Sequence, residues 1–268
     1  MLKTVDKRDQ WCYNSFGIIL LVLLRSRVRS RVSPGIKQVR LLLKGIVMEN
    51  LKLQDIGQQI EETKHFYIEN AEPRRAPVFC FLKRLFDIFF AVFLGIILLP
   101  VGLIVALLIK CDSAGPVIYK QERLGKNGKP FLILKFRTMN TSSEVGGPKW
   151  ATSNDPRCTK IGRKLRKTRL DEIPQLWNIF KGEMSFVGPR PERQYFYDEF
   201  EKYIHGFSNR MAVTPGLTGL AQVMGGYDLL PEEKVVYDME YIKKRSAWLD
   251  FKIILKTVRL VFTHEGAR

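Results

Sequence analysis

Histidine is scarce in this 268-residue chain: His65, His205 and His264 are scattered and share no metal-ligand spacing. A histidine-based metal centre or a histidine general base is therefore not expected. Cysteine is equally thin. Cys12, Cys80, Cys111 and Cys158 lie far apart and form no CxxC or zinc pattern, which reads as four reduced thiols facing the cytosol. Acidic residues are outnumbered, with 27 Asp and Glu against 44 Lys and Arg, so the formal net charge is +17. Such an excess implies an anionic partner: nucleic acid, anionic lipid or a phosphate-bearing substrate. No helix-turn-helix, zinc-finger or RNA-binding aromatic signature accompanies the charge. There is also no internal repeat.

Charge is missing altogether from Ile88 to Ile109. A stretch that long is enough to cross a bilayer as one helix, and it would be insoluble on a freely diffusing nucleic-acid binder. Nucleic acid is thereby excluded as the partner. The membrane segment 83–110 has Pro100 in its middle, which removes a helix hydrogen bond and favours a kink. Lys83 and Arg84 precede it and Lys110 follows it. Basic residues on both flanks fit both ends staying on the cytoplasmic face. A re-entrant helical hairpin or bent helix is expected here, ahead of a full span or a buried helix of a soluble protein.

Residues 1–47 differ from the rest. They hold ten Lys and Arg and two Asp, and their apolar run Phe16–Leu24 is too short to span a bilayer. Basic residues follow that run, and no small-residue cleavage site does, so a signal peptide is a poor fit. Two readings stay open: a membrane-surface anchor, or an untranslated extension with Met48 as the true start. Residues 48–80 read as a polar, partly helical lead-in. The remainder, 81–268, is expected to be one domain, α+β and mostly helical.

Within that domain PVIYKQERLG and KPFLILKFRTM flank Asn127-Gly128, a hairpin signal with a two-residue turn. Residues 140–158 read as a loop. Helix is expected over 161–180, 192–210 and 231–262, with irregular structure around TPGLTGLAQVMGG. The stretch AWLDFKIILKTVRLVF is amphipathic. It suits either a membrane interface or packing on the domain core.

The chemistry is concentrated in KIGRKLRKTRLDEIPQLWNIFKGEMSFVGPRPER, residues 160–193. Asp171 and Glu172 follow a run of five cationic residues: Arg163, Lys164, Arg166, Lys167 and Arg169. A lone acidic pair is usually a solvated surface feature. In a cationic bed, one carboxylate can act as a nucleophile toward phosphorus and the other can hold a metal. Arg190 sits between Pro189 and Pro191, which limit backbone freedom and suit a rigid guanidinium grip on phosphate. Lys135 and Arg137 alternate with apolar residues in LKFRTM.

KRLFDIFFA, LKFRTM, LRKTRLDEIPQLWNIFKGEMSFVGPRPE and TPGLTGLAQV occur here in an order and spacing similar to the bacterial sugar transferase family. These are monotopic polyprenyl-phosphate phosphoglycosyl transferases. The resemblance covers about residues 80–262 and implies a monotopic membrane protein with a re-entrant membrane helix at the cytoplasmic face of the cell membrane. It implies a UDP-sugar and undecaprenyl phosphate as substrates, Mg²⁺ as cofactor, and glycosyltransferases of polysaccharide assembly as partners. It implies Asp171 as nucleophile, forming an aspartyl phosphosugar as UMP leaves. Asp171 and Glu172 would hold the metal. Lys135, Arg137, Arg166, Pro189, Arg190, Pro191 and Asp238 would contribute to substrate binding. Two departures stand out. Met224-Gly225-Gly226-Tyr227 replaces an Asn-Gly-Arg-type sequence, removing an arginine. Leu99 stands where many relatives have Ser before the proline.

Overall fold

The computed structural model describes residues 65–73, 76–141, 143, 155–225 and 229–263. The readings for 1–47, for most of 48–80, for most of the 140–158 loop and for Gly226 and Tyr227 lie outside the described residues. Strand β1 is Phe66–Tyr67 and is followed by helix α1, Pro77–Asp112. Strands β2, Ile118–Leu124, and β3, Pro130–Phe136, form an antiparallel hairpin. Helices α2, Lys160–Thr168, and α3, Gln175–Lys181, flank a 3₁₀ turn at Leu170–Glu172. Then come β4, Ser185–Val187, α4, Gln194–Glu201, β5, Ile204–His205, and β6, Gly216–Thr218. Helices α5, Leu220–Met224, α6, Pro231–Lys244, and α7, Ala247–Thr263, complete the unit. The α+β, mostly helical class is as the sequence indicates. The strands form three separate two-stranded ribbons, with β1 parallel to β5 and β4 parallel to β6.

Helix α1 spans 36 residues, about 54 Å at 1.5 Å per residue. Pro77 opens it, where a missing N–H costs nothing. The backbone stays helical across Pro100, so its halves are not two helices joined by a loop. One stripe along its length meets the domain: Asp87, Ala91, Leu94, Leu98, Val105 and Ile109. The steps of three, four and seven residues keep these side chains on one face. Contact on both sides of Pro100 holds the halves together despite the lost hydrogen bond. Most of the other faces are exposed and apolar; Val78, Ile96 and Leu107 are each about two-thirds exposed. A core helix of a soluble protein would be mostly buried, and only 11% of the most apolar stretch of α1 is.

Polar ties fix α1 at both ends. Lys83 pairs with Asp250 of α7 at 2.6 Å. Arg84 donates to the carbonyls of Ile179 and Phe180, each at 2.7 Å, completing the C-terminal end of α3. Asp87 accepts from the Ser185 hydroxyl and the Phe186 N–H. At the far end Asp112 accepts from the Ile161 N–H.

Three expected elements are subdivided. The hairpin loop is longer than the Asn-Gly pair: Gly125 N–H donates to Lys129 O, and a 3₁₀ turn fills Lys126–Gly128. Asn127 and Gly128 both adopt positive φ, the conformation for which those residue types are suited. The 161–180 helix breaks at Arg169, which is left-handed at φ 58°. The 231–262 helix breaks at Arg245-Ser246, where the Ser246 hydroxyl accepts from Leu249 N–H and caps α7. The 192–210 helix ends after Glu201, whose carboxylate accepts from the Gly206 and Ser208 N–H groups and draws the chain into a turn.

Helix α7 packs on the domain core with one face and leaves apolar side chains exposed on another. Ile253 is fully buried and Leu249 and Ile254 pack on the core, while Trp248, Phe251, Leu255 and Val258 are exposed. Trp177 and Phe180 of α3 are exposed as well.

Candidate active site

The acid pair sits on the 3₁₀ turn that α2 leaves behind at Arg169. A positive φ at a residue with a side chain is costly, and it reverses the chain so that Asp171 points inward. Glu172 is held firmly. Arg190 donates to both its oxygens, one contact at 3.3 Å and the other shorter, and Lys135 Nζ lies 3.6 Å away. No hydrogen bond to the Asp171 carboxylate forms among the described residues.

This asymmetry splits the pair electrostatically. Burial and the neighbouring Glu172 charge push Asp171 up to about 6. Glu172 is also buried, but Arg190 and Lys135 overcome that and bring it down to about 2. Burial, with Arg190 nearby, lowers Lys135 to about 8. Near neutrality the site therefore holds two carboxylates and two cations, and the less stabilised carboxylate is Asp171.

Arg190 is fixed by its backbone. Its turn gives up four successive carbonyls to four different donors. Pro189 O accepts from Gly216 N–H, Arg190 O from Arg210 Nη2, Pro191 O from Arg123 Nη1 and Glu192 O from Leu124 N–H. Arg123 also pairs with Glu192 at 2.8 Å. Pro189 and Pro191 are buried, and the Arg190 side chain donates further to Leu217 O. The guanidinium is thus preorganised over the dyad before any ligand arrives.

Lys135 gains its position from α3. Asn178 is completely buried and behaves like a strand edge: its Oδ1 accepts from Leu134 N–H and its Nδ2 donates to Leu132 O. The helix after the dyad is thereby locked onto the strand that carries Lys135. Arg166 lines the same cavity, its Nε donating to the Thr138 hydroxyl at 2.9 Å.

Two expected substrate contacts have their side chains engaged within the protein, although Arg137 lines the cavity. Arg137 is buried, and its guanidinium donates to Ala114 O, Ser113 O and the Ser113 hydroxyl. It closes the C-terminal end of α1, whose last carbonyls need donors. Asp238 does not line the cavity. It is buried under the site in a 2.6 Å ion pair with Arg210, the residue that supports Arg190 O. Arg210, Arg123 and Asn178 are the members that sequence reasoning missed. Asn178, polar within the apolar run 176–180, carried a signal, whereas Arg123 and Arg210 lie among other polar residues.

The cavity beside the dyad measures about 1190 Å³. Its polar part contains Lys135, Arg166, Asp171, Glu172 and Arg190, and it continues between apolar side chains of α1 and α7. A buried carboxylate dyad and a clamped arginine thus share one cavity with a cationic rim. The family of bacterial sugar transferases matches residues 78–264.

The chain belongs to this family.

Among similar proteins, this chain is 43% identical over 196 residues to a UDP-N-acetylgalactosamine-undecaprenyl-phosphate N-acetylgalactosaminephosphotransferase of Aeromonas hydrophila. The match takes in 72% of this chain and 46% of that protein. It is 42% identical over 191 residues to a UDP-glucose:undecaprenyl-phosphate glucose-1-phosphate transferase of Escherichia coli (strain K12), covering 69% and 41%. A protein of the same description from Caulobacter vibrioides is 40% identical over 190 residues, covering 69% and 71%. The chain therefore spans less than half the length of the first two relatives and most of the third.

Proposed function

We propose that the protein transfers a sugar-1-phosphate from a UDP-sugar to undecaprenyl phosphate and releases UMP. The observation that carries this is the unequal treatment of two adjacent carboxylates. Glu172 is bound by Arg190 and Lys135, while Asp171 is buried, without a hydrogen bond to its carboxylate among the described residues, and lines the cavity.

An Asp171 oxygen attacks the phosphorus that bears the sugar. The bond from that phosphorus to the bridging oxygen breaks, and UMP leaves with the electron pair. A phosphosugar ester of Asp171 remains. An oxygen of undecaprenyl phosphate then attacks the same phosphorus, the aspartyl bond breaks, and the carboxylate is restored. No proton need move in either step, which suits a site without a histidine. Arg190, Lys135 and Arg166 offset the charge gathered on the phosphates.

Mg²⁺ belongs to this reading, with Asp171 and Glu172 as its ligands. Among the described residues no cluster of three ligating side chains exists. Mg²⁺ needs only one or two carboxylates when phosphate oxygens and waters complete its shell. Each Glu172 oxygen keeps a lone pair beyond its bond to Arg190, so the donors fit. When bound, the ion neutralises diphosphate charge. On this reading α1 enters and leaves one face of the membrane, because Lys83 and Asp112 at its ends are tied to the same unit. The basic flanks support the cytoplasmic side as that face. The product would be the first lipid-linked intermediate of exopolysaccharide, capsule or glycan assembly, taken up by glycosyltransferases of that pathway.

The direct experiment incubates membrane-embedded protein with Mg²⁺, undecaprenyl phosphate and a panel of UDP-sugars, and measures UMP. Release with one or a few sugars is expected. Release that is undiminished in Asp171→Asn would sink Asp171 as the nucleophile.

A further inference from the structure

The cavity does not end at the phosphate site. Phe86, Phe90, Leu94 and Leu98 of α1 line it, each one turn beyond the last. That stripe extends about 18 Å along the helix. Phe251, Ile254, Val258 and Val261 of α7 line the same cavity, at steps of three and four. Their stripe covers about 15 Å. Ile173, Leu176 and Leu217 line it between the two helices, directly after the dyad in sequence and beside the carbonyl that holds Arg190. The lining between the helices is mostly apolar, with Thr218, Gln222 and Thr257 as polar members and Thr218 bonded to Thr257, and it joins a head that includes Asp171, Glu172, Lys135, Arg166 and Arg190.

We infer that the channel between α1 and α7 is the seat of the acceptor's isoprenoid chain, with its phosphate delivered to the head of the same cavity beside Asp171. This rests on the function proposed above. A sugar nucleotide is polar throughout and gains nothing from two apolar stripes. A polyprenyl phosphate has a charged head at one end of a long apolar chain, which is the order of surfaces in the cavity. One wall is the most apolar helix of the chain, so the channel opens where a lipid arrives. Both walls are tied together near the head by Lys83 and Asp250, which fixes the channel width there.

The test compares acceptors of different chain length. Val258 is about half exposed within the channel wall, so Val258→Trp narrows the channel without removing core contacts. Leu255→Trp places the same ring on the same helix but outside the cavity, and controls for changes in folding or membrane attachment. In Val258→Trp the KM for undecaprenyl phosphate should rise about tenfold, the effect of displacing a few methylenes. The KM for a farnesyl-length phosphate should rise less. Leu255→Trp should shift neither. An equal rise for both acceptors, or equal effects of both variants, overturns the channel. Wild-type protein that releases no UMP with either acceptor overturns the proposed reaction itself.

Discussion

The guanidinium of Arg190 covers both carboxylate oxygens of Glu172 and leaves the adjacent Asp171 carboxylate without a hydrogen-bond donor among the described residues. Two like residues thus acquire opposite properties from one neighbour. Asp171→Asn should lower turnover at least a thousandfold, as loss of a nucleophile does. The protein should stay folded, since the amide is isosteric and no buried charge is lost without its partner. UMP release by purified variant and wild type, with circular dichroism as the check on folding, decides this.

Activity should follow a bell in pH. Asp171 must be ionised to attack, so the acid limb should lie near 6, where its raised value puts it. Lys135 must be protonated to offset phosphate charge, so the alkaline limb should lie near 8. Lys135→Arg should lower the rate but remove the alkaline limb, because a guanidinium stays charged far above that range. The measurement is kcat/KM against pH for both proteins. An alkaline limb unchanged in the variant would assign it to another group.

Asp238 should act on catalysis only through Arg210. Its pair with Arg210 is almost fully buried, and burial raises the Asp238 pKa despite the adjacent cation. Removing one partner strands the other, at a cost of about 3–5 kcal/mol. Asp238→Ala should therefore lower the melting temperature and raise the KM for the sugar nucleotide. Asp238→Glu should recover part of both. A variant of normal stability that fails only in catalysis would instead make Asp238 a substrate ligand.

Asn178→Ala removes the bonds from α3 to the backbone of β3. With the Leu134 N–H and Leu132 carbonyl left unpaired, a loss of about 2–4 kcal/mol is expected. Lys135 lies one residue beyond Leu134, so the sugar-nucleotide KM should rise as well. Thermal unfolding and steady-state kinetics on the same preparation test the link.

Chelation by EDTA should abolish UMP release, and added Mg²⁺ should restore it. Activity that persists in EDTA would remove the metal from the proposal and leave the cations to balance the diphosphate alone.

Much of this was legible in the sequence where local chemistry decides. Asn127-Gly128 marked the hairpin, and the run from Ile88 to Ile109 marked the apolar helix. Asp171, Glu172, Lys135, Arg166 and Arg190 do share one cavity. What stayed hidden depends on tertiary partners. Arg137 looked like Lys135 in an alternating strand, yet it faces the end of α1. Asp238 looked like a site carboxylate and is buried one layer beneath it. The break at Arg169 follows from the fold's need to turn the dyad inward, and no glycine announced it.

The ties at Lys83 and Asp112 also bear on bilayer thickness. A helix anchored on opposite sides of a membrane must tilt or stretch its surroundings when acyl chains lengthen. A helix moored at both ends to one domain has no such constraint, and its depth is set by the domain's own buoyancy at the surface. On the topology proposed above, a lipid composition that impairs a spanning neighbour through mismatch would leave this transferase at the same height, with Asp171 at the same level as the phosphates it serves.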